Sequence, residues 1–155
     1  MKYLVFTLLS VVLFSCKKND NNNQNINSVD IIGNWYSVKD NNYQEYYFTK
    51  NKMYEYSPYS GDVLEFNYII KHNSIYRYFN HPELKNHSYD FYDNILQIDS
   101  LHVKLKTKSL IKLNKKNTLQ MFLEKKIDYK TFDKFGIYRK NLSISLDSLA
   151  KKAGQ

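Results

Sequence analysis

Only one cysteine occurs in the 155-residue chain, at position 16, which excludes an internal disulfide and a cysteine-rich zinc site. The four glycines stand singly at 33, 61, 136 and 154, so there is no glycine-rich loop to wrap a phosphate, and P-loop and dinucleotide fingerprints are excluded. Proline, alanine and arginine each occur twice. No H-E-x-x-H and no Gly-x-Ser-x-Gly elbow is present. Of the histidines, His81 and His87 share a loop with Glu83, but no helix sets a pair at i, i+4, and His72 and His102 stand apart, so no metal site is expected. What the chain does have is Lys (21), Asn (18), Tyr (15) and Ile (12), 66 of its residues together. These have AT-rich codons, so part of the formal charge of +8 reflects coding composition. The charge is spread without a block of five like residues, which reads as a solvated lysine-rich surface and not a nucleic-acid interface. With 43% hydrophobic and 16% aromatic residues the chain is too apolar to be disordered as a whole.

Met1 to Ser15 has one cation at Lys2, an apolar stretch from Tyr3 to Phe14 and a small Ser15 directly before Cys16. That order is a secretory signal, too short for a comfortable membrane span. Leu13-Phe14-Ser15-Cys16 resembles the lipobox of bacterial lipoproteins. The resemblance implies that residues 1–15 are removed and that Cys16 carries a thioether-linked diacylglycerol and an acylated amino terminus, as with palmitate. Such chains bury enough methylenes, at about 0.8 kcal/mol each, to hold a domain on a bilayer. The cell envelope, with an outer-membrane lipid anchor, is the expected location, and which leaflet the domain faces stays open. From Lys17 the chain reads KKNDNNNQNINS, so residues 16–30 are expected to be an acylated cysteine followed by an Asn-rich tether.

From Gly33 the apolar pattern has period two. Leu64, Phe66, Tyr68 and Ile70 share one face of a run, and Leu101, Val103 and Leu105 alternate with polar residues, as half-buried strands do. Breaks near 40–42, 50–52, 60–62, 72–74, 80–86, 93–94, 108 and 114–117 cut the chain into eight or nine strands. No ten-residue helical pattern lies between Gly33 and Lys126, so an all-β antiparallel meander is expected, curled into an up-and-down β-barrel over 31–126, with a two-sheet sandwich as the competitor. In the extension over 127–155, Leu142, Leu146 and Leu149 recur at helical spacing, and a short helix packed on the barrel wall is expected there.

Ile31-Ile32-Gly33-Asn34-Trp35-Tyr36 resembles the Gly-x-Trp opening of lipocalin and fatty-acid-binding barrels. With the lipobox and tether, the whole is similar to the small lipocalin-like lipoproteins of Bacteroidetes-type bacteria. The resemblance implies that Trp35 closes one end of the barrel beneath a basic residue of the last strand, here expected at Leu119–Lys126. It also implies an interior ligand, for which Tyr54, Tyr56, Phe66, Tyr68 and Arg77 are the candidate residues. Arg77 sits mid-strand between Tyr76 and Tyr78 and can clamp a carboxylate bidentately, or lie outside on tyrosine rings. Glu45, Glu55 and Glu65 read as surface carboxylates. No catalytic residue and no cofactor is expected. Two partners besides the membrane remain open: a small apolar or amphipathic ligand, or a protein, as for an inhibitor or immunity lipoprotein.

Overall fold

The computed structural model describes residues 28–79 and 88–153. A 3-10 turn at Ser28–Ile31 leads into β1 (Gly33–Lys39), β2 (Asn42–Phe48), β3 (Lys52–Tyr56), β4 (Val63–Lys71), β5 (Ser74–Phe79), β6 (Asp90–Ile98), β7 (His102–Leu105) and β8 (Ser109–Lys112). All neighbours are antiparallel, and β8 pairs back to β1 through Trp35↔Lys112 and Tyr36↔Ile111, closing an eight-stranded barrel. The meander expected from the alternation is therefore a barrel and not a sandwich.

Local chemistry explains the tight turns. Asp40-Asn41 and His72-Asn73 are two-residue connections between paired residues, Lys39↔Asn42 and Lys71↔Ser74. All four central residues have positive φ, between 50° and 61°. That is the primed turn whose twist matches antiparallel strands, and Asn and Asp tolerate it best among residues other than glycine. At Gly33 φ is 124°, and a Cβ would lie 2.5 Å from Lys112 Nζ, so only glycine permits Lys112 to fold over the start of β1.

One end of the barrel is filled. Trp35, Phe48, Met53, Tyr68, Ile75, Val103 and Leu110 form a continuous buried cluster there, sealed by Ile31. Trp35 donates its indole N–H to Ile31 O at 2.7 Å, and Lys112 Nζ lies 4.2 Å from its ring centre while donating to Ile32 O at 3.0 Å. The basic residue stacked on Trp35 is thus Lys112 of β8. The expected last strand is replaced by a helix, α1 (Leu119–Leu123). Its Leu, Gln and Met are strong helix formers, Asn117 turns the chain with φ 58°, and the hydrogen-bonding edge of β1 is already taken by β8.

After α1 comes the expected C-terminal helix, α2 (Tyr129–Ala153), 25 residues long. It is bound to the outer wall by Phe132 and Gly136 against Tyr56, whose ring atoms would lie 2.6 Å from a Cβ at Gly136. Of the leucines that marked it, Leu142 and Leu149 are exposed, and Leu146, also exposed, lines a groove with Tyr36, Val38 and Ile111 of the wall. Among the described residues no helix is long and apolar enough to cross a membrane.

Candidate functional site

Opposite the Trp35 end, the barrel interior changes character. Strand alternation brings Tyr46, Glu55, Phe66, Arg77 and Tyr92 inward from β2 to β6, and the β7–β8 turn adds Lys108. The Arg77 guanidinium is sandwiched between the Phe66 and Tyr92 rings, 4.1 and 4.0 Å from their centres. Its Nη1 is 2.7 Å from Glu55 Oε1 but makes no aligned hydrogen bond. Tyr92 donates its hydroxyl to Glu55 at 3.0 Å. Lys108 Nζ donates to Tyr92 Oη at 2.6 Å and Tyr46 Oη at 2.7 Å, and Tyr46 in turn donates to Gln44 Oε1 at 2.5 Å. From Lys108 the donors branch two ways, through Tyr92 to Glu55 and through Tyr46 to Gln44. Two cations, Arg77 and Lys108, share this network with Glu55, and a second carboxylate, Asp93, is buried beside the turn that carries Lys108.

Over this network opens a cleft of about 480 Å³, lined by Ser37, Lys39, Asp40, Asn42, Gln44, Thr107 and Lys108. Lys108 is aimed into the barrel by Asp93, a buried carboxylate that accepts from Thr107 N at 3.3 Å, from the Thr107 hydroxyl, and from Asn94 N at 2.8 Å. The lining offers the ammonium groups of Lys39 and Lys108 and neutral amide and hydroxyl groups, with Asp40 as its one carboxylate, which is chemistry able to recognise an anionic group; the aromatic rings lie beneath, around Lys108 and Arg77.

The five candidate ligand residues divide. Phe66 and Tyr68 belong to the interior cluster and Arg77 to the network above it, but Tyr68 donates to Thr49 O at 2.7 Å near the filled end and lies away from the cleft. Tyr54 and Tyr56 point outward. Tyr54 stacks on Tyr47, and Tyr56 is buried with Leu119 and Phe132 beneath the helices, donating to Asp133 Oδ1 at 2.6 Å. The β3 alternation is apolar on both faces because one faces the core and the other the helical layer, so the inward polar residue, Glu55, was masked. Neither Glu55 nor Glu45 is a surface carboxylate: Glu55 joins Arg77 inside, and Glu45 is fully buried under α2 against Arg139. Glu65 does pair at the surface, with Lys52. Lys108 gave no sequence signal beyond its place in a turn. The histidine loop over 81–87 and Cys16 lie outside the described residues. Among the described residues no cluster of metal-ligating side chains occurs. No family model, curated protein or solved structure matches the chain.

The tyrosines make the fold sensitive to alkali. Burial pushes the hydroxyls of Tyr43, Tyr68 and Tyr92 above the ordinary value of 10.0, with Glu45 adding to the shift at Tyr43. A raised folded pKa means the folded state holds its protons longer. The associated stability is whole below pH 10 and falls as the pH climbs from there towards the folded values. Urea midpoints are expected to be flat from pH 7 to 9 and then to drop, by up to about 1.4 kcal/mol per pH unit for each proton released. Unchanged midpoints to pH 11.5 would show that these hydroxyls are not held by the fold.

Proposed function

We propose that the chain is a non-enzymatic, lipid-anchored envelope protein whose lipocalin-like barrel binds a small amphipathic ligand with an anionic group at its open end. The observation that carries this reading is the interior pair of cations, Arg77 and Lys108, held on aromatic rings, with Lys108 also lining a cleft. The apolar part of the ligand is compact, since the Trp35 half of the barrel is already filled by side chains. The ligand's anion is placed beside Lys108, which with Gln44 is where the network meets the cleft.

Calorimetry with a panel of fatty acids from short to long chain, and of lipid fragments bearing carboxylate or phosphate, tests the reading. At least one member is expected to bind tighter than about 100 μM. Lys108→Met is expected to weaken it about tenfold or more, as the loss of a hydrogen bond to a charged group does. If nothing in the panel reaches that affinity, a protein partner becomes the better reading. That alternative draws support from the outer face of β6, where Phe91 and Leu96 are both exposed beside Tyr89.

A further inference from the structure

Helix α2 carries an apolar stripe that the fold leaves largely exposed, with Leu146 at its inner margin lining a groove against Tyr36 and Ile111 of the barrel wall. Tyr138, Leu142, Leu146 and Leu149 follow one another at spacings of four, four and three along one flank, and are 62%, 47%, 58% and 62% exposed. The opposite flank is located by its contacts: Tyr129 donates to Gly61 O at 2.6 Å and Lys140 lies 4.5 Å over the Tyr59 ring. Gly61 and Tyr59 are in the β3–β4 loop at the open end. The stripe is therefore turned toward the Trp35 end.

That is also the end at which the chain enters, through Ser28–Ile31. Its turns carry exposed Lys50, Lys71, Lys115 and Lys116, against Asp30 and Asp99. Ile32 and Leu101 are exposed among them. Apolar side chains on a helix flank beside a field of lysines are the chemistry of an interfacial helix on anionic lipid. A second copy of the chain is disfavoured as occupant, because a two-fold contact through this face would set its lysines against themselves.

We infer that the leucine flank of α2 and the lysine-bearing end of the barrel form one docking face for an anionic bilayer, which holds the open end away from the membrane. The inference extends the anchored reading: eleven residues separate Cys16 from Ser28, a reach of at most about 40 Å, so an acylated cysteine keeps this face close to lipid. A ligand then enters the cleft from the aqueous side.

The test uses the acylated full-length product carrying Leu146→Cys labelled with bimane, reconstituted in vesicles containing phosphatidylglycerol. Lipids brominated along the acyl chain are expected to quench the bimane about threefold or more, as for a side chain seated at the acyl boundary. Adding Lys115→Glu with Lys116→Glu, or Leu142→Ser with Leu149→Ser, is expected to remove most of the quenching while circular dichroism stays unchanged. Intact mass reports acylation separately. Should Cys16 carry no lipid, the anchored reading fails, and the same measurement on the chain with Cys16→Ser still decides the docking face. Equal brightness in brominated and ordinary lipid overturns the inference. So does shielding that appears without vesicles and rises with protein concentration, the mark of a second copy on the stripe.

Discussion

Replacing Arg139 with alanine is expected to destabilise the fold by about 3 to 5 kcal/mol, the usual cost of breaking a buried ion pair from one side. Glu45, on the outer face of β2, is 0% exposed and Arg139, on α2, is 7% exposed. The pair is bidentate, with Nε 2.7 Å from Oε1 and Nη2 2.9 Å from Oε2. Tyr43 adds a hydrogen bond to Oε1 at 2.8 Å, and Arg139 Nη1 donates to the carbonyls of Lys116 and Asn117. One guanidinium therefore joins the barrel wall, α2 and the segment leading into α1. Alanine would leave a carboxylate in an apolar interface with a single hydroxyl for company. Urea denaturation measures the loss. The double variant Glu45→Leu with Arg139→Met is expected to recover most of it, because the desolvation cost of both charges disappears together. A loss under about 1 kcal/mol for Arg139→Ala would mean that α2 lifts off and water reaches Glu45, which hydrogen exchange along the helix would register.

Trp35→Ala is expected to cost a similar amount, about 3 to 5 kcal/mol, for a different reason. The indole is 1% exposed, meets the β8 closure through Lys112, and holds Ile31 by its N–H. Its removal leaves a cavity at the seam where β1 and β8 complete the barrel, and exposes the buried cluster from the side of chain entry. Lys112→Met separates the parts, since it removes the cation and keeps the covering stem. Its expected cost is about 0.5 to 2 kcal/mol, the range of a cation-π contact. The offset is partial, because burial already lowers the Lys112 pKa and so opposes its charge. If Trp35→Ala loses under about 1 kcal/mol, the indole does not carry the closure.

Two-residue alternation from Gly33 onward determined a great deal: antiparallel strands joined by hairpins, a sheet with one covered face, and a length that favours closure over an open edge. Gly33 and Trp35 marked the opening of the first strand, and Phe66 and Tyr68 were legible as inward because their partners across the alternation are polar. The candidate site was legible in two residues, Phe66 and Arg77. Period two reports that a strand has two faces, but it does not say which is the core when both are apolar, and Tyr54 and Tyr56 were assigned inward for that reason. Only the outer layer of α1 and α2, packed on β3 and β2, decided that Glu55 is the inward residue. The same holds for partners distant in sequence. Glu45 and Arg139 are 94 residues apart and Tyr46 and Lys108 are 62 apart, and no local pattern carries such a pairing, since it arises when the closed sheet and the crossing helix bring their surfaces together. The leucines of α2 show the same limit from the opposite direction. Their spacing determined a helix with an apolar flank, but the barrel contact is set by Phe132, Gly136 and Arg139 in the first half of the helix, where close approach and a buried ion pair fix its rotation, and this leaves Leu142 and Leu149 in solvent and Leu146 only at the edge of a groove along β1 and β8.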